Sequence, residues 1–156
     1  MVRVSAPELV EQIEKTLAHQ RSLEKQVDQL KSKLAQSAMG DLERQVRTVK
    51  DVKVLAARVD GMERQQLRAL ADSLRNKLKS AVVVLASADD SGVSIVSAVT
   101  KDLTAKVHAG KLAGAVAQAV GGKGGGRPDM AEAGGKDAQA LPAALEDVYR
   151  SVESML

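Results

Sequence analysis

The sequence predicts an α/β domain, a small mixed sheet flanked by helices, preceded by one long helix of coiled-coil type. Three observations predict it. A narrow apolar seam runs from Leu9 to Leu34 in alternating steps of four and three. β-rich stretches follow around Val54, Val83 and Ile95, bounded by turn residues. Between and after them the apolar spacing switches to the helical period, the alternation that places helices against the faces of a sheet. The predicted boundary assigns residues 1 to 40 to the long helix and 41 to 156 to the globular part.

The helix has a capping-box start, with Ser5 as cap, Pro7 in the first turn and Glu8 three residues on. Its seam is Leu9, Ile13, Thr16, Gln20, Leu23, Val27, Leu30 and Leu34, polar in the middle and apolar from Leu23. Glu24, Lys25, Asp28, Lys31 and Lys33 mark the exposed sides. So narrow a stripe needs a partner helix, and Leu23, Val27, Leu30 and Leu34 are the candidate dimer contacts. The alternative is a helix packed on its own domain, which generally shows a wider apolar face. Gly40 suits the position just past the helix end.

The globular part opens with a strand from Val52 to Val59, in which Val52, Val54 and Ala56 alternate before an Asp60-Gly61 turn. From Glu63 to Lys79, Leu67, Leu70, Ala71, Leu74 and Leu78 line one helix face. On the same helix Arg64, Arg68, Arg75 and Lys79 fall within an arc of about 60°, a basic ridge beside the apolar face. With Asp72 and Glu63 as its only near acids in sequence, the ridge reads equally as a nucleic-acid contact or as solvated surface. AVVVLAS (Ala81 to Ser87) and VSIVSAV (Val93 to Val99) form a hairpin about Asp89 to Gly92, its first strand apolar enough to be covered on both faces. A helix with Leu112, Val116 and Val120 inward begins at Lys101 or Ala109, with Gly110 and Gly114 interrupting it. Pro142 opens a last helix that turns Leu145, Val148, Val152 and Met155 inward.

Between these helices lies GGKGGGRPDMAEAGGK, Gly121 to Lys136, in which seven of sixteen residues are glycine. With Lys123, Arg127 and Lys136 beside open backbone N–H groups, it reads as an anion-holding loop at Lys123, Gly124, Gly125, Gly126 and Arg127. A flexible linker accounts for the glycines but not for the Arg-Pro-Asp-Met turn. Met130 to Ala133 is a short strand extending the sheet, and Gly134 and Gly135 suit close backbone packing.

Composition excludes several functions. With no Trp or Phe and one Tyr, base stacking on aromatic platforms cannot be the main mode of nucleic-acid binding. The absence of Cys excludes disulfides and thiolate metal sites, and His19 and His108 stand far apart, outside metal-ligand spacing. Two isolated histidines cannot supply the clustered ligands of a metal-dependent hydrolase. Both read as ordinary solvent or packing residues. Residues 41 to 80 carry ten basic and six acidic side chains, so the positive surplus is concentrated there, in a chain whose totals are 23 and 20. No apolar run is long enough to span a bilayer and no signal peptide is evident, so a cytoplasmic protein without membrane contact is expected.

The run GGKGGGRPDMAEAGGKD, together with VKVLAARVDG, AVVVLAS and LPAALEDVY in this order, resembles the C-terminal domain of alanyl-tRNA synthetases. The resemblance covers the whole chain. It implies the fold of the DHH-associated domain of single-strand nucleases and phosphoesterases, and a role in holding the elbow of tRNA(Ala) through its backbone, assisting aminoacylation and editing. Lys123, Arg127 and the loop amides would meet phosphates, with the ridge as a second patch, positioning RNA by shape. Glu132 departs from the family, which often has Gln there. The resemblance also implies a homodimer in some members, contact with the other synthetase domains, and a fragment in which Met1 falls inside the segment after the editing domain. No catalytic site, metal or cofactor is expected in it. ATP, magnesium and zinc belong to domains that nothing in these residues resembles.

Overall fold

The computed structural model describes residues 6–156, so the proposed Ser5 cap lies outside the described residues. Helix α1 runs Ala6–Arg44. By its internal contacts the chain divides into a unit ending at Ser37 and a compact unit, Ala38–Leu156. In the first unit the apolar side chains face solvent, with Leu23, Val27, Leu30 and Leu34 exposed by 46 to 66%.

Gly40 does not end the helix. It lies within α1, where an added Cβ would meet nothing within 4 Å. The last turns carry Leu42, which is buried, and Met39, partly buried against the same cluster. Burial of these side chains outweighs the helix-breaking tendency of glycine, about 1 kcal/mol.

In the compact unit six strands pair in the order β1-β2-β3-β4-β6-β5. They are β1 (Arg47–Val49), β2 (Val52–Arg58), β3 (Ala81–Asp89), β4 (Gly92–Val99), β5 (Lys123–Gly126) and β6 (Met130–Gly135). Only β2 and β3 run parallel, joined through α2 (Arg64–Leu78) as parallel neighbours require a crossover. Helix α2 covers one sheet face, where Leu67, Leu70 and Leu74 meet Leu55, Val83, Leu85 and Val96. Helices α3 (Ala109–Ala119) and α4 (Leu141–Met155) cover the other, over Val54, Val82, Val84 and Ile95. Ala81 to Ala86 are therefore buried without a break, as a doubly covered strand must be.

Two strands were not legible in the sequence. β1 returns onto β2 through Lys50 and Asp51, whose φ values of 46° and 67° match the two-residue hairpin turn that glycine and asparagine normally mark. β5 consists of Lys123 and three glycines, in what the sequence predicts as a loop. At the start of α2, Glu63 and Gln66 form a capping box, the Gln66 Oε1 accepting from the Glu63 amide at 2.9 Å. His108 has a structural role: it precedes α3, and its Nδ1 accepts from the Gly110 amide at 3.1 Å.

Candidate nucleic-acid interface

The glycine segment is an edge hairpin. β5 and β6 run antiparallel from Lys123 opposite Gly134 to Gly126 opposite Ala131, and the Arg127 amide closes the turn onto the Met130 carbonyl at 3.1 Å. Glycine makes this strand possible because α3 crosses it at very short range. A Cβ on Gly110 would lie 2.6 Å from the Gly126 carbonyl oxygen, and one on Gly114 3.3 Å from that of Gly124. The two glycines that interrupt the helical pattern therefore sit where the helix backbone touches the strand backbone.

The amides expected to lie open are in part engaged. Gly121 donates to Gln118 O at 3.2 Å, Gly122 to Ala117 O at 2.7 Å and Lys136 to Val120 O at 2.8 Å. These bonds close the end of α3 and tie β6 back to it. A free run of amides around an anion is thus replaced, at these positions, by satisfied backbone. What the segment offers a ligand is chiefly side-chain charge: Lys123, Arg127 and Lys136 are all exposed.

The basic ridge and the hairpin come together on the α2 side of the sheet. Arg64, Arg68 and Arg75 lie on α2, and Lys79 follows as its C-cap with φ 66°. Arg68 Nη1 donates to Glu132 Oε1 of β6 at 3.1 Å. Arg75 donates to the Asp129 carbonyl at 3.3 Å, pairs with Asp72, and lies 4.0 Å from the Asp129 carboxylate. Arg127 Nε reaches the same carboxylate at 3.5 Å. The ridge therefore meets more acids than Asp72 and Glu63, the two near it in sequence: Asp129 and Glu132 arrive from the hairpin and, with Asp72, face three arginines. Arg75 is the most withdrawn, with its side chain 19% exposed, whereas that of Arg127 is 73% exposed.

Glu132 thus has a structural partner, Arg68, that accounts for a carboxylate there. Sequence reading missed this neutralisation because the partners lie 54 and 64 residues apart along the chain. Among the described residues no group of His, Cys, Asp or Glu is placed to hold a metal ion.

Comparison with known proteins defines the class of this fold first. Residues 51–154 match the DHHA1 domain family. A DHH-domain protein of the s1p family of ribosomal proteins shares the fold at a TM-score of 0.54 with 11% identity, over 85% of this chain and 32% of that one. The C-Ala domain of Aquifex aeolicus alanyl-tRNA synthetase superposes at a TM-score of 0.65 with 31% identity, over 69% of this chain and 97% of that chain. Alanine–tRNA ligase of Solibacter usitatus is 70% identical over 156 residues, all of this chain, and that of Thiobacillus denitrificans 53% identical over 149 residues, or 96% of it. The chain spans only 18% and 17% of the length of these two ligases. It belongs to the DHHA1 domain family and, within it, to the C-Ala domains of alanyl-tRNA synthetases.

Proposed function

We propose that this chain is the tRNA-binding module of a cytoplasmic alanine–tRNA ligase, holding the elbow of tRNA(Ala) by its backbone and so assisting aminoacylation and editing. The observation that carries the reading is the convergence of Arg64, Arg68 and Arg75 of α2 with the exposed Arg127 of the glycine hairpin on one side of the sheet. Cations gathered on one face without aromatic platforms suit phosphate contacts, which position an RNA rather than read its bases. Lys123 and Gly124 to Gly126 present the edge strand beside them, and Lys79 extends the patch past the helix end. Titration of labelled tRNA(Ala) with the chain and with Arg127→Ala tests it. Weaker binding by the variant supports the role given to Arg127, and equal binding contradicts it.

A second reading, self-association through α1, is favoured by one observation. Leu23, Val27, Leu30 and Leu34 keep a heptad spacing and are all exposed in the single chain. A homodimer would carry two RNA sites, so the readings are compatible. Sedimentation of the chain and of Leu30→Glu/Leu34→Glu decides it: a dimer that the variant abolishes supports the reading, and a monomer in both removes it.

A further inference from the structure

Pairing within the ridge leaves its charge unevenly available. Arg68, Arg75 and Arg127 each have a carboxylate within 4.0 Å. Arg64, Lys79, Lys123 and Lys136 have none among the described residues. Three of these unpaired cations, Arg64, Lys123 and Lys136, are not scattered. Arg64 and Lys136 line one hollow of about 300 Å³, together with Ser94, Gly122, Gly134 and Gly135. Lys123 stands directly opposite Gly134 in the β5–β6 register, and residues directly opposite in an antiparallel pair share a face.

The glycines give this hollow its shape for two different reasons. A Cβ on Gly122 would fall 1.8 Å from the Gly134 carbonyl oxygen, and one on Gly135 2.3 Å from Val120 Cγ2, so both are required by packing. Gly134 differs. Its Cβ would point toward Arg64, 3.5 Å from Nη2, and 3.2 Å from the Val93 carbonyl oxygen. Glycine at this position leaves the strand face bare beneath a guanidinium. Of the two acids in the neighbouring β3–β4 turn, Asp89 and Asp90, the first is engaged by the Ser91 and Gly92 amides at 2.8 and 3.1 Å and by the Ser91 hydroxyl at 2.5 Å.

We propose that this hollow, floored by Gly134 and flanked by Arg64, Lys123 and Lys136, is the principal seat for a backbone phosphodiester of the bound RNA. The inference rests on the tRNA-binding reading and moves its electrostatic centre from the middle of the ridge to the α2 N-terminal end. Arg64 supplies a planar fork for two phosphate oxygens, and the two lysines act as point charges beside it. The ridge centre, satisfied internally, orients the hairpin instead.

The test measures tRNA(Ala) binding across a salt series for the intact chain, for Arg64→Gln/Lys136→Gln, and for Lys101→Gln/Lys106→Gln. The last removes the same charge from an exposed loop outside the patch. The hollow variant is expected to bind about tenfold more weakly, with the log–log salt slope reduced by about one, the signature of one lost phosphate contact. The loop variant should keep the slope of the unaltered chain. If the unaltered chain binds but both variants lose equal affinity, or neither does, the hollow is not the seat. If the unaltered chain does not bind tRNA at all, the functional reading fails and the proposal with it.

Discussion

Arg68 and Glu132, on α2 and β6, form an ion pair at 3.1 Å that joins the basic ridge to the glycine hairpin. Their side chains are 55% and 34% exposed, so the pair contributes about 1 kcal/mol or less to stability. Its larger effect is electrostatic, because it occupies a guanidinium that would otherwise face solvent beside the hairpin.

Glu132→Gln is therefore expected to leave the urea midpoint almost unchanged and to tighten tRNA binding several-fold by removing a negative charge from the patch. Titration of labelled tRNA with the variant checks this. Unaltered affinity would mean that Arg68 and Glu132 lie away from the RNA.

Gly122→Ala tests the packing role of the glycines. With its Cβ 1.8 Å from a backbone oxygen, the variant must displace β6 or the end of α3. A loss of about 1–3 kcal/mol or more is expected, read as a lower urea midpoint with an unchanged slope. Gly125→Ala is the comparison, since its Cβ would meet nothing within 4 Å and should cost little.

Acid should destabilise the domain through carboxylates held in their charged form. Asp60 is lowered from the ordinary 3.8 chiefly by its hydrogen bond from Arg58, joined by the Ala88 amide. Asp102 is lowered by the Ser80 hydroxyl and then by Thr100. A depressed folded-state pKa means that the unfolded chain takes up protons first. The stabilisation is complete above the ordinary carboxylate range and is lost as pH falls through the folded-state values. Urea midpoints should be level from pH 7 to about pH 5 and fall below about pH 4, with a shallower fall in Asp60→Asn. An equal fall in that variant would mean that Asp60 does not contribute to the acid sensitivity.

Much of the fold was legible because periodicity reports burial. The face of α2 from Leu67 to Leu74, the β3–β4 hairpin and the inward side of α4 all stand where apolar spacing puts them. What escaped was set by tertiary contact. β1 depends on a turn built from Lys50 and Asp51, without the usual glycine. β5 has little strand propensity of its own and is held between β6 and the glycines of α3. The candidate interface was legible in kind but not in balance. The ridge and the glycine segment are visible as residues, yet the acids that neutralise Arg68 and Arg75 come from a hairpin distant in sequence.

The stripe of α1 and the RNA patch can be separated by concentration. If Leu30 and Leu34 mediate a dimer, the sedimentation coefficient of the chain should rise with concentration while the per-chain stoichiometry of tRNA stays at one. A stoichiometry of one tRNA per dimer would place the two patches within reach of a single RNA.

Recognition of the elbow is tested most sharply by binding of full-length tRNA(Ala) against a minihelix that lacks the elbow, measured by gel shift across a salt series. The tRNA should bind tightly and with steep salt dependence, and the minihelix more weakly by tenfold or more. Equal affinity for both RNAs would contradict recognition of the elbow, and no binding of either would remove the RNA-holding function from this domain.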